Sequence, residues 1–309
     1  MTGPGLLGWR AANTISVVAV SAGISVRWPV LGLLLLVAAC EGPETTETSE
    51  VATTTHALLR VERSALVGAE DEATGMAFAG VLRMPESADP EPLLRLSGRG
   101  LSLPALGACA AMSRERPVVA SDIGRAEFLE AGDVTLRASE TETLLAPRLF
   151  ESSQTELSGV AYSSRDRASE PLPGGAAYVL KTTGSEQLPA LELRVQAPEV
   201  LSEVAIGDVT LGEVTRVGVG SDLQVSWRPG DVRDVVYVEV TGSSEAGTLG
   251  VCAFRDSDGR GSLPRGLFGA AGAGSLAFHR LREVAADVTA LDAAEARFDF
   301  ELTADVSFR

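Results

Sequence analysis

The side chains best placed to do chemistry lie near residue 256. The run Asp256-Ser257-Asp258-Gly259-Arg260-Gly261 sets carboxylates at alternate positions. Calcium loops use that spacing so that several oxygens converge on one cation. Asp256 and Asp258 are therefore candidate calcium ligands, although Arg260 brings the wrong charge to the next alternate position. An Asp-Gly turn between two strands accounts for the same letters. Nucleophilic catalysis needs a nucleophile, a base and an orienting group. Imidazole is supplied only by His56 and His279, and Ala277 and Leu281 flank His279 at strand spacing, so a structural or surface place is expected for it. Gly242-Ser243-Ser244-Glu245-Ala246 lacks the second glycine of a nucleophile elbow. The glycines from Gly269 to Gly274 lack the lysine of a phosphate loop. Close carboxylates such as Glu140 with Glu142 and Asp231 with Asp234 leave a carboxylate-based hydrolase as one alternative.

Three cysteines have different prospects. Cys40 ends the apolar run Val30-Leu31-Gly32-Leu33-Leu34-Leu35-Leu36-Val37-Ala38-Ala39-Cys40. Arg27 supplies a positive charge before it, and Ala38 and Ala39 are small, as a cleaved export signal requires. Val37-Ala38-Ala39-Cys40 resembles the lipobox of bacterial lipoproteins. That resemblance implies that residues 1–39 are a signal peptide, removed so that Cys40 becomes an acylated N-terminus. Several acyl chains would anchor the protein stably, since one alone is marginal. Glu41, where inner-membrane lipoproteins usually carry Asp, implies the outer membrane. A start at Val20 or Val26 would leave a more compact leader. Cys109 and Cys252 remain, and in an exporting compartment they either bridge or lie as two buried thiols.

Charge narrows the partners. The chain has 42 acidic and 26 basic residues, a net charge of −16. Residues 1–39 contain Arg10 and Arg27 but no acid, so their removal leaves −18. Such a surface repels nucleic acid and anionic lipid headgroups and suits cations or basic partners. Aromatic platforms for a carbohydrate are few, and Trp227 shares the parity of Leu223 and Val225, which predicts a core position.

The elements that must position these residues are strands. Residues 40–56 are rich in Thr and Glu and nearly free of large apolar side chains, so a disordered tether is expected. From Ala57 the period is two: Leu59 and Val61, then Leu193 and Val195, then Val236, Val238 and Val240. The clearest row is Ala294, Ala296, Phe298, Phe300, Leu302, Ala304, Val306 and Phe308, with polar residues between, as a half-wet antiparallel sheet requires. A short helix is expected from Ser121 to Gly132. Pro198 marks a boundary, so a β-rich domain at 57–198 and a β-sandwich domain at 199–309 are expected. Trp227-Arg228-Pro229-Gly230, then Cys252, then Asp256-Ser257-Asp258-Gly259 resembles a layout of uncharacterised exported lipoproteins, which implies an immunoglobulin-like sandwich and no assigned activity. The fold class expected is thus all-β: one or two immunoglobulin-like antiparallel β-sandwiches after a signal peptide and tether. The leading functional expectation is a non-catalytic, membrane-anchored envelope module. Its partners would be the lipid bilayer, through acylated Cys40, and an unknown envelope protein. No cofactor is expected beyond the covalent lipid. The alternatives to the envelope module are a calcium- or carbohydrate-binding adhesion module and an unfamiliar carboxylate-based hydrolase.

Overall fold

A computed structural model describes residues 52–88, 103–111, 126–150, 157–164, 172–242, 248–268 and 271–309. Among them the regular elements are strands and single turns of 3₁₀ helix. The first nine strands are β1 (Thr53–Leu66), β2 (Thr74–Pro85), β3 (Cys109–Ala110), β4 (Ala126–Leu129), β5 (Val134–Ala138), β6 (Thr141–Phe150), β7 (Leu157–Ser163), β8 (Ala177–Thr182) and β9 (Glu192–Gln196). Four short ones follow: β10 (Ala205–Ile206), β11 (Val209–Thr210), β12 (Arg216–Val217) and β13 (Leu223–Ser226). The last five are β14 (Val235–Gly242), β15 (Thr248–Arg255), β16 (Arg260–Leu263), β17 (Gly272–Ala286) and β18 (Ala293–Phe308).

One large sheet runs β3-β15-β14-β17-β18-β1-β2-β4-β7-β6-β5-β8-β9, with β12 added against β18. A small sheet runs β11-β10-β13-β16. The fold is all-β, and the large sheet is mixed where an antiparallel one was expected. β1 lies parallel to β18, from His56↔Ala293 to Leu66↔Thr303, and β4 lies parallel to β7. The first and last described strands meet in the middle of the sheet, where β18 lies beside β1.

The two largest cores form by face-to-face packing, with smaller clusters around Phe78 and Phe128 and around Tyr237 and Leu281. In the first, Val134, Leu136, Tyr178, Leu180, Leu193 and Val195 from β5, β8 and β9 close over Leu59, Val61, Phe298 and Phe300. Tyr178 meets Phe298 edge-on at 5.1 Å. In the second, Ile206, Val225 and Leu263 of the small sheet close over Val236, Val238, Phe278, Val306 and Phe308. Each fully buried Phe or Leu contributes about 1.5–3 kcal/mol through the apolar area removed from water. The even-numbered row of β18 serves both: Ala294 to Phe300 face the first core, and Ala304 to Phe308 the second. At roughly 3.3 Å per residue the strand is about 50 Å long, enough to underlie two sandwiches.

Residues 50–309 form one compact unit. The chain passes from the first core to the second between Ala197 and Leu201, beside the boundary expected at Pro198. The first core is closed by β18 from the second segment, and β3 of the first segment pairs with β15 of the second. Two expectations change. The tether expected over 40–56 gives way to β1 at Thr53, because Thr53 to His56 pair with β2 and Asp292 accepts hydrogen bonds from the Thr55 N–H at 2.7 Å and Oγ–H at 2.9 Å. The helix expected from Ser121 to Gly132 lies partly outside the described residues, and Ala126–Leu129 is strand β4. Phe128 there packs between Phe78 and Phe150, a period-two contact that a capping signal concealed.

Candidate functional site

The polar interior of the molecule is built on β17. Its even positions read Leu276, Phe278, Arg280, Arg282, Val284 and Ala286. Alternation puts all six on one face. Leu276 and Phe278 enter the second core, while Val284 and Ala286 pack against the first. Arg280 and Arg282 therefore fall on the seam between cores, 2% and 5% exposed. A buried guanidinium needs charge and hydrogen-bond compensation, and both have it. Arg282 Nε and Nη2 donate to Asp234 Oδ1 and Oδ2 at 2.6 and 2.8 Å, a two-pronged pair. Its Nη1 donates to the carbonyls of Gln196 and Ala197. Arg280 Nη2 donates to Asp256 Oδ1 and to the Arg228 carbonyl, each at 2.8 Å, and its Nη1 reaches the carbonyls of Glu199 and Val200. The two side chains thus clamp the crossing segment 196–200 onto the shared sheet.

This arrangement decides the fate of the expected calcium ligands. Asp256 is fully buried. Its Oδ1 accepts from Arg280 and, at 2.8 Å, from Trp227 Nε1. Its Oδ2 points at Gly230, where a Cβ would stand 2.2 Å away. Asp258 is exposed on the loop. The two carboxylates do not converge: one neutralises an internal arginine, the other meets solvent. The calcium reading of Asp256 and Asp258 is corrected accordingly. The loop itself is a single 3₁₀ turn ended by Gly259 in the left-handed region at φ 60°, as an Asp-Gly turn demands. Among the described residues no group of three or more His, Cys, Asp or Glu is placed to hold a metal ion. Trp227 is buried in the second core, 5.9 Å from Phe254.

The opposite face of β17 carries a second polar group. His279 is fully buried and stacks on Tyr237 at 4.1 Å. Its Nδ1 lies 2.9 Å from Asp299 Oδ1, and the Tyr237 hydroxyl donates to Asp299 Oδ2 at 2.6 Å. An ionised carboxylate only accepts, so the imidazole proton on that side belongs to Nδ1. A His–Asp pair supplies two of the three members of a nucleophilic triad. Here the imidazole and the phenol have no exposed surface and Asp299 is 3% exposed, so a solvent-borne substrate does not reach them. Leucine at 281 and alanine at 277 and 253 surround them on the same face. His279 holds the structural place that its strand spacing indicated. Its partner was not found from sequence; the signal was an Asp at the odd position of a row whose even positions are apolar.

Cys109 and Cys252 form a disulfide across paired positions of β3 and β15, spanning 143 residues of sequence. Cys40, Ser243, Ser244 and Glu245 lie outside the described residues, as do Gly269 and Ala270 of the glycine run. Of the paired carboxylates, Asp231 and Asp234 both face Arg282, Asp231 Oδ2 at 3.7 Å. Arg233 donates to Asp231 through side chain and backbone and holds its carboxyl well below the usual carboxylate range. Glu142 and Glu140 are exposed at the β5–β6 turn.

Together these features define an all-β protein with two sandwich cores on one shared sheet, stapled at the seam by internal arginines. No protein-family model matches the chain, and no curated protein matches it. Among solved structures it is similar to the crystal structure of chicken CNTN1 FN1-FN3 domains, at 11% identity and a TM-score of 0.21, over 58% of this chain and 57% of that one. A likeness that distant bears no weight for fold or function. The sandwich assignment stands on the strands and cores themselves.

Proposed function

We propose that this protein is an exported, lipid-anchored envelope module that acts by protein contact and not by catalysis. The observation that carries the non-catalytic reading is where the ionisable side chains are committed. Asp234, Asp256, Asp299, His279, Arg280 and Arg282 are all buried in pairs that hold strands and cores together. Acids and bases that catalyse must reach a substrate atom within hydrogen-bond distance, and these face one another instead. The anchor reading rests on Val37-Ala38-Ala39-Cys40 at the end of its apolar run. A disulfide between Cys109 and Cys252 suits the same address, since such bonds persist in oxidising compartments. Glu41 after the acylated cysteine favours the outer membrane.

Mass spectrometry of the protein from bacterial envelopes tests this. The expected N-terminus is Cys40 carrying a diacylglyceryl thioether, with residues 1–39 absent. Cys40→Ser should leave the chain in the aqueous phase on detergent partition. An unacylated polypeptide retaining residues 1–39 and recovered from the cytosol refutes the anchor.

A further inference from the structure

The outer surface of β6 carries two exposed leucines, Leu144 and Leu149. Residues 141–145 pair with β5, and residues 146–150 pair with β7 on the other side. Past Leu145, therefore, the edge of β6 that faced β5 carries no strand among the described residues. Odd positions on this stretch are Leu145, Pro147 and Leu149. Leu145 is buried in the first core, but Pro147 is exposed and Leu149 is 70% exposed. Their cross-strand neighbours are the apolar Tyr162 and Val160. An apolar row so runs out of the core into solvent with a two-residue step, about 6.8 Å, the step of alternate side chains in an extended chain. Beside it lies a cleft of about 500 Å³ lined by Leu144, Pro147, Val160, Tyr162, Glu130 and Asp133. Glu130 and Asp133 are exposed and have no cationic partner among the described residues. Both act on the Tyr162 phenol and, behind the larger effect of its burial, help raise its pKa. The nearby cations are turned away: Arg148 donates to Ser163 on the other face, and Arg137 stands opposite Glu142.

A free strand edge, an apolar row at strand spacing and an unpaired acidic rim together specify one kind of occupant. We propose that the β6 edge and its cleft bind an extended peptide of a partner protein, with apolar side chains alternating with Lys or Arg. This rests on the reading of the chain as a contact module. Backbone pairing along residues 146–150, where Pro147 offers a carbonyl but no N–H, would supply affinity, as in strand addition. The Leu149 row would select apolar side chains, and Glu130 with Asp133 would select basic ones.

The test uses the full chain and a displayed library of random 12-residue peptides. Enriched peptides should alternate Leu, Ile or Val with Lys or Arg, and their binding should weaken as salt rises. Leu149→Arg and the double change Glu130→Lys with Asp133→Lys should each reduce affinity about tenfold or more. These side chains are exposed, so thermal melts of the variants should match wild type and exclude misfolding. Acidic consensus peptides, binding indifferent to both variants, or no enrichment would overturn the proposal. So would a concentration-dependent dimer in sedimentation that Leu149→Arg abolishes, since the occupant would then be a second copy. Failure here with Cys40 acylated leaves the envelope reading standing, and binding here by an unacylated chain sinks only the anchor.

Discussion

Removing Asp256 should cost more than removing Asp234, although both neutralise a buried arginine. Asp256 is fully buried, and its Oδ1 is the carboxylate contact of Arg280 at 2.8 Å. In Asp256→Ala the guanidinium keeps only the carbonyls of Glu199, Val200 and Arg228, and Trp227 Nε1 keeps only the Asp256 carbonyl at 3.1 Å. An uncompensated internal charge costs about 3–5 kcal/mol, and the lost indole bond places this variant at the upper end. In Asp234→Ala the Asp231 carboxylate already stands 3.7 Å from Arg282 and, though shared with Arg233, still offsets part of the Arg282 charge. That substitution should cost about 3 kcal/mol or less. The double change Asp256→Leu with Arg280→Met removes both charges and should return to within about 1–2 kcal/mol of wild type. Urea unfolding measures each, followed by Trp227 fluorescence in a Trp9→Phe, Trp28→Phe background and by far-ultraviolet circular dichroism. The two probes should coincide in wild type and separate when Arg280 and Arg282 are both replaced by Met, because Trp227 reports the second core alone. An Asp256→Ala cost under about 1 kcal/mol, or one below that of Asp234→Ala, would refute the reasoning that the seam is held by compensated charge.

Further outcomes are expected. Reducing the Cys109–Cys252 bond, which closes a span of 143 residues, should lower stability by up to about 5 kcal/mol by loop entropy; an unchanged urea midpoint in dithiothreitol would contradict this. Gly230→Ala drives a Cβ to 2.2 Å from Asp256 Oδ2 and 3.1 Å from the Arg280 guanidinium carbon, so a loss of about 2 kcal/mol is expected. Gly220→Ala, with nothing within 4 Å, should be near neutral in the same assay. Acid should destabilise the fold. The Thr55 N–H and hydroxyl hold the Asp292 carboxyl below its ordinary value, and Arg233 does the same for Asp231. Their folded pKa values lie below the unfolded ones, so their contribution is complete above the unfolded carboxylate range near pH 4 and is lost as pH falls through the folded values. The urea midpoint should be level at neutral pH and drop in acid, less steeply in Asp292→Asn; an equal slope in that variant would count against the assignment.

The strands were legible where burial is one-sided. Alternation from Ala294 to Phe308 marks β18 without ambiguity. What alternation could not reveal is that one row feeds two cores, because parity is the same on either side of Leu302. Nor could it reveal the parallel pairing of β1 with β18, which joins segments more than 200 residues apart and leaves no local trace. Arg280 and Arg282 drew no reading from the sequence, although Leu276 and Phe278 before them and Val284 and Ala286 after them share their parity. A charged pair inside an otherwise apolar row is the signature of a buried seam. Asp256, expected as a calcium ligand or a turn residue, is paired with an arginine 24 positions later and not with a metal ion.

The internal arginines also explain how a chain with two cores avoids behaving as two beads. Shared strands alone would let the small sheet of β10, β11, β13 and β16 rock on the large one, since apolar packing is not directional. Hydrogen bonds are directional, and the clamps make contacts that only one placement of segment 196–200 satisfies. Apolar replacements at both arginines and both aspartates should therefore cost little stability while loosening that placement. Amide exchange decides between fixing and mere filling. In the quadruple apolar variant the N–H groups of Ala197 and Arg228, bonded to Ala176 and Ser202, should lose protection while those of Val236 and Val238 keep theirs. Uniform protection across all four would show that packing by itself sets how the second core sits.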